Sequence, residues 1–358
     1  MADIPSPEQI AATRKQMEDM EHTSLSILGP CPSNLIQSTI DVRLQDGFIS
    51  RTILVRPVSR NKPLASRRSG DKDINLEKLP LVVLMHGGSF SYCSPNALIS
   101  PARAFALHFN AIVASVAYKL APECPFPAPA QSAWEVTAWL SEPKNINKII
   151  KDEGLELDPS LGFVLGGFSA GANLAAVIAG VNSASKAGYR DELVRGMPPI
   201  VSEITGLFIS IPCLMEADIV PAEYSYLFRS RDEHANAPFV NARSLQEVRQ
   251  VYNQDLHSPW FSPLNLDLAK IQGHHPGKVY VHCGELGILR DDAIIYERIL
   301  KDGGLAETRI DAFVGYDHAC WCNLMFDQAH TAEMMERTMN GMGWLLGLDW
   351  DRSTPLSH

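Results

Sequence analysis

The pentapeptide Gly167-Phe168-Ser169-Ala170-Gly171 sets one hydroxyl among small neighbours, between the apolar run GFVLG and the helix-like run ANLAAVIAG. A sharp strand-to-helix turn at that point lifts a serine Oγ clear of a sheet, and small flanking residues make the turn sterically possible. The helix start behind it offers the Ala170 N–H and a partial positive charge to a developing oxyanion. Such pentapeptides also occur in plain turns, but this setting makes Ser169 a candidate nucleophile. His86-Gly87-Gly88-Ser89-Phe90 follows the apolar run LPLVVLM. Consecutive glycines after a buried strand bring the N–H groups of Gly87, Gly88 and Ser89 close to a ligand, as an oxyanion hole requires. The plainer alternative is a strand-to-helix turn with a hydrogen-bonded histidine. His318, in Gly315-Tyr316-Asp317-His318-Ala319, lies just beyond the last expected strand. A loop there can carry a general base to the serine hydroxyl.

These pieces need a scaffold. The apolar run Leu79–Met85 reads as a buried strand, followed by a helical stretch near 101–109 and a strand over Ala111–Ala117. A helix over 128–141, a strand over Gly162–Gly166 and a helix from Ala170 continue the alternation. Strands over Ile204–Ile211 and Lys278–Cys283, a helix over 291–302 and a strand over Glu307–Phe313 complete it. Short apolar runs alternating with helices imply an α/β fold whose mostly parallel sheet is covered on both faces. Upstream, residues 7–21 read as a helix with a weak apolar stripe of Ile10, Ala11, Met17 and Met20. Gln45-Asp46-Gly47, between β-like runs in 38–56, marks a hairpin. Residues 58–78, with Arg67-Arg68, read as a surface loop. Residues 212–275 break the alternation and look like an inserted helical cap. Its Tyr224, Tyr226, Phe228, Trp260 and Phe261 either line an apolar pocket or pack the cap onto the core.

The bulk composition excludes several classes. The chain has 358 residues, 46% of them hydrophobic, and a formal net charge of −10. That acidity argues against nucleic acid or an anionic membrane as a main partner. No apolar stretch of about 18 residues is present to span a bilayer, and the polar N-terminus lacks a signal-peptide core. Seven scattered cysteines, with Cys320 and Cys322 too close for a usual zinc pair, point to neither a disulfide framework nor a metal site. The expectation is a cytoplasmic protein with no metal.

Val113-Ala114-Ser115-Val116-Ala117-Tyr118-Lys119-Leu120-Ala121-Pro122-Glu123 and Pro125-Phe126-Pro127-Ala128 resemble the Y-R-L-A-P-E…P-F-P-A block of the hormone-sensitive-lipase-like α/β-hydrolases. That family also carries H-G-G-G before the block, G-x-S-A-G after it, and an S-P-L similar to Ser262-Pro263-Leu264. The resemblance implies an eight-stranded α/β-hydrolase core over about 37–211 and 276–350, with a cap from about 1–36 and 212–275. It implies cleavage of a small or medium acyl ester by Ser169 and His318. Gly88, Ser89 and Ala170 would supply oxyanion donors, and no cofactor is needed. Edge-strand homodimers are known among proteins resembling this one.

One position departs from the pattern. The family's acid is the fourth residue of G-x-x-D-x-L-R-D, and in GELGILRDD that residue is Gly287. Three readings follow. Glu285 reaches across from the strand end to serve as the acid. Asp291 or Asp292 turns inward, although both suit the first turn of a helix better. Or no acid is present, and the fold serves as a ligand receptor or for other carbonyl chemistry, such as cyclisation, condensation or dehydration, with His318 as base.

Overall fold

The computed structural model describes residues 5–60, 76–318, 320–322 and 328–356. Its strands, in chain order, are β1 (Leu35–Arg43), β2 (Ile49–Pro57), β3 (Glu77–Leu79), β4 (Leu81–Met85), β5 (Ile112–Val116), β6 (Leu155–Leu157), β7 (Phe163–Phe168), β8 (Gly206–Ser210), β9 (Lys278–Gly284) and β10 (Glu307–Phe313). The α-helices are α1 (Pro7–Leu28), α2 (Ile99–His108), α3 (Ala128–Leu140), α4 (Pro143–Ile149), α5 (Ala170–Lys186), α6 (Ser230–Glu233), α7 (Ala242–Tyr252), α8 (Arg290–Asp302) and α9 (Gln328–Leu346). Eight strands form one sheet in the order β1-β2-β5-β4-β7-β8-β9-β10, with β3 and β6 paired separately. The pairs β1–β2 and β2–β5 are antiparallel and the remaining neighbours parallel.

Strand β4 shows why the sheet is covered twice. All five of its residues are buried, and they divide by the two-residue period of a strand. Leu81, Val83 and Met85 join the core shared with α3, α5 and α8. Val82 and Leu84 join the core shared with α2 and α9. A strand with one wet face would alternate apolar and polar residues instead. The hairpin forms as expected, with the Asp46 side chain accepting from the Phe48 N–H at 3.0 Å and Gly47 at φ +91°.

Other expectations are revised. Helix α1 runs seven residues further than 7–21, to Leu28, started by a capping box of Ser6 and Gln9. Residues 77–79 leave the main sheet for a short pairing with β6. Of the expected loop 58–78, residues 61–75, with Arg67 and Arg68, lie outside the described residues. The 212–275 insert is less helical than expected, holding only α6, α7 and short 3-10 turns.

The insert is tied to the core by two carboxylates at the start of α8. The buried Asp292 accepts from the Leu214 and Met215 N–H groups at 2.7 and 2.9 Å and pairs with Arg231 at 2.8 Å. Asp291 accepts from the Arg229 and Ser230 N–H groups, both at 2.6 Å. Neither turns toward the histidine loop, so the inward-turning reading is corrected: their partners lie in the insert and, for Asp291, also on the neighbouring Arg290 at 2.8 Å. Replacing Asp292 by alanine would strand a buried guanidinium and two N–H groups, a loss of about 3–5 kcal/mol. Urea unfolding should show a clearly lowered midpoint; a change below about 1 kcal/mol would contradict this anchoring role.

Candidate active site

Parallel strands bring their carboxyl ends to one edge of the sheet, where open α/β folds bind ligands. The ends of β4, β7, β8, β9 and β10 build the site. Strand β7 is followed directly by Ser169, at φ 55° and ψ −116°, a strained backbone costing about 1–3 kcal/mol. The Ser169 N–H donates to the Ser210 carbonyl at 2.9 Å, fixing the turn to the end of β8. Gly171 lets α5 begin against β4, since a Cβ there would lie 2.0 Å from the Met85 carbonyl oxygen. The small residues around the serine are therefore required by backbone contact.

The loop after β4 lies on this turn. A Cβ on Gly87 would meet the Phe168 carbonyl oxygen at 3.0 Å and the Ser169 Cβ at 3.3 Å. Gly88, at φ +102°, closes a tight turn whose carbonyl accepts from the Ser91 and Tyr92 N–H groups. Ser89 itself takes φ 55°, so a side chain has been accepted in the left-handed region where the family has a third glycine. Ala170 opens α5, and the first N–H of a helix has no partner within that helix. His86 holds the loop from beneath. Its ring stacks on Tyr118 at 4.3 Å, its Nδ1 lies 2.8 Å from the Gly87 carbonyl, and Tyr118 Oη donates to the His86 carbonyl at 2.7 Å. Because a carbonyl only accepts, Nδ1 carries the hydrogen. Burial pushes the His86 pKa down to about 4, so the ring stays neutral.

His318 Nε2 lies 2.8 Å from Ser169 Oγ. This is the arrangement in which an imidazole takes a proton from an attacking hydroxyl. Burial, with no opposing influence, pushes the His318 pKa down to about 4. Among the described residues, no carboxylate is hydrogen-bonded or ion-paired to His318. The Glu285 carboxylate instead accepts from the Gly315 N–H at 3.0 Å, in an exposed position. Asp317 accepts from the Phe239 N–H at 3.2 Å. The structure thus brings Ser169, His318 and the Gly87–Ser89 loop together and leaves Glu285 apart from them. Glu285→Gln keeps an acceptor for Gly315 and should change kcat/KM less than about threefold; a hundredfold fall would return Glu285 to the histidine.

Gly287 occupies the turn after β9, close to the histidine loop. A Cβ built on it would lie 3.0 Å from the Asp317 carbonyl oxygen and 3.3 Å from its carbon. The position thus faces the residue before His318, and its side chain is absent.

A cavity of about 270 Å³ opens beside Ser169. Met17 and Met20 of α1, Phe239 and Val240 of the insert, and Cys93, Cys320 and Cys322 are among its lining residues. None of the insert aromatics proposed for a pocket lines it. Trp260 packs edge-on against Trp134 at 5.9 Å, Phe261 is buried, and Tyr224 Oη donates to Asp302 at 3.1 Å. Sequence reasoning missed the cysteines, Phe239 and Val240. It placed Met17 and Met20 on one face of α1 without placing that face over the serine. A sign lay in the spacing of Arg14 and Glu21, two helical turns apart on the same face. Arg14 pairs with Glu123 at 2.7 Å, and Glu21 accepts from the Ser94 N–H at 2.8 Å and from its hydroxyl. Among the described residues no cluster of three metal-ligating side chains exists, and no helix is long and apolar enough to cross a membrane.

Comparison with known proteins agrees with this architecture. Residues 82–322 match the family described as alpha/beta hydrolase fold. An AB hydrolase superfamily protein of Schizosaccharomyces pombe is 30% identical over 240 residues, covering 66% of this chain and 62% of that protein. Esterase LipI of Mycobacterium tuberculosis is 30% identical over 246 residues, 66% of each chain. The matched segment thus spans just under two thirds of these two relatives. Among solved structures, vibralactone cyclase superposes with a TM-score of 0.75 at 22% identity, covering 97% of this chain and 91% of that one. An esterase of Pyrobaculum calidifontis superposes with a TM-score of 0.68 at 23% identity, covering 94% of this chain and 92% of that one. At these identities the structural likeness is one of fold.

Proposed function

The chain belongs to the alpha/beta hydrolase fold family, and on that premise we propose that it cleaves carboxylic esters of small to medium acyl size through an acyl-enzyme on Ser169. The observation that carries this reading is the 2.8 Å contact between His318 Nε2 and Ser169 Oγ, beneath the Gly87–Ser89 loop. Ser169 Oγ attacks the ester carbonyl as His318 takes its proton. The N–H groups of Gly88, Ser89 and Ala170 receive the oxyanion. His318 then protonates the leaving alcohol and activates water for the second half. Segments 1–36 and 212–275 act as the cap, and the substrate is a small molecule. The esterase names carried by relatives such as LipI support the same class.

His318 works here without a carboxylate partner among the described residues. Loss of that partner from a triad lowers kcat about 10⁴-fold, so a slow esterase is expected. The same observation favours a second reading, in which His318 removes a proton from a carbon acid and the fold cyclises or dehydrates a carbonyl substrate. A p-nitrophenyl ester panel of short to medium acyl chains, run on wild type and Ser169→Ala, separates the two. Turnover that falls by about a hundredfold with the serine supports hydrolysis. Wild type no faster than the variant hands the lead to the second reading.

A further inference from the structure

The cavity beside Ser169 is rich in sulfur. Met17, Met20, Cys93, Cys320 and Cys322 all line it, while its polar groups, Ser89, Ser169 and His318, are gathered at the reacting end. No aspartate, glutamate, lysine or arginine lines it among the described residues. Burial pushes the Cys93 thiol well above its usual range, so that side chain stays uncharged. The two methionines are held in place. Arg14, three residues before Met17, donates to the Ser91 and Ala121 carbonyls at 2.9 and 2.7 Å as well as to Glu123. Glu21, one residue after Met20, is buried on Ser94. A helix pinned on both sides of its two methionines forms a fixed roof over the cavity.

Sulfur is polarisable and gains more from the edge of a π system than from a saturated ring. Away from the N–H groups at the reacting end, a charged group would lose its hydration in this cavity with no charged side chain to replace it. Its volume of about 270 Å³ holds roughly nine non-hydrogen atoms at the ~30 Å³ that one water occupies in the liquid. From these observations we infer that the site selects an uncharged acyl group carrying an aromatic or conjugated system, with Met17 and Met20 as specificity-determining residues. The inference rests on the ester-hydrolase reading for its chemistry and on the cavity for its selectivity.

The test compares p-nitrophenyl 3-phenylpropanoate with p-nitrophenyl 3-cyclohexylpropanoate. Two methylenes insulate the carbonyl, so intrinsic reactivity is matched and the saturated ring is the more hydrophobic. Wild type should favour the phenyl ester in kcat/KM by about threefold or more. The double variant Met17→Leu/Met20→Leu, near in volume but without sulfur, should bring that ratio to one or below. A wild-type ratio of one, or a ratio that the double variant leaves unchanged, overturns the inference. Dissociation constants of both esters on Ser169→Ala supply an arm independent of hydrolysis. If neither ester is turned over, the hydrolase reading fails, and the binding ratio alone decides whether the cavity selects π systems.

Discussion

Gly287→Asp should raise kcat/KM for a p-nitrophenyl ester by at least about thirtyfold. Removing the acid from a complete triad costs about 3 × 10⁴ in kcat, whereas removing the serine or histidine costs about 2 × 10⁶. A site lacking its acid therefore has a large gain within reach. The geometry limits how much is recovered. The new Cβ would sit 3.0 Å from the Asp317 carbonyl oxygen, so the histidine loop must give by a few tenths of an ångström. The pH profile provides an independent mark. With its pKa pushed down to about 4, His318 remains an unprotonated base down to that pH, placing the acid limb of kcat/KM near pH 4. A carboxylate beside the imidazolium favours the protonated form and moves the limb upward. Gly287→Asn, which offers a hydrogen bond without charge, should recover less activity and move the limb less. An aspartate variant that folds normally but gains neither rate nor a shifted limb would show that position 287 does not reach His318.

Ser169→Ala should lower kcat by roughly a hundredfold, not the millionfold of a complete triad. The figure is the ratio of the two losses above, about 2 × 10⁶ over about 3 × 10⁴. What remains after the mutation is the oxyanion loop, which stabilises charge without a nucleophile. In the Gly287→Asp background the same substitution should cost far more, because serine, histidine and acid act as one unit. Equal losses in both backgrounds would mean that the introduced carboxylate works apart from the other two. The folded state of each variant is checked by its urea midpoint, since the turn at Ser169 is strained.

The parts of this site that were legible in the sequence are those fixed by neighbouring residues. The turn at Ser169 and the loop from Gly87 depend on glycines whose missing Cβ atoms let strand ends touch, and such requirements appear as short motifs. The β4 run was legible because both its faces are buried. Helix α9 was not, and Gly341 and Gly343 within it lower the local preference for a helix. Tertiary packing overrides that preference: a Cβ on Gly341 would run into the Tyr280 ring at 1.8 Å. The cavity was hidden for a different reason. Met17 and Cys320 meet there from opposite ends of the chain, and no local pattern records such a meeting. The insert aromatics stayed open between lining and packing because an aromatic side chain in the sequence suits either role. Glu285 misled because its distance from the histidine loop in sequence says nothing of direction. Its N–H bonds the Phe313 carbonyl and its carboxylate accepts from the Gly315 N–H.

On this reading His318 activates Ser169 for attack on a carbonyl-like centre without a carboxylate partner among the described residues. Peptide-mass mapping after treatment with a fluorophosphonate tests it most directly, because the phosphonyl group stays on whichever hydroxyl attacks. One adduct is expected, on Ser169, forming slowly in wild type, faster in Gly287→Asp, and not at all in His318→Ala. No adduct on Ser169 in wild type, or labelling that persists at the same rate without His318, would contradict it.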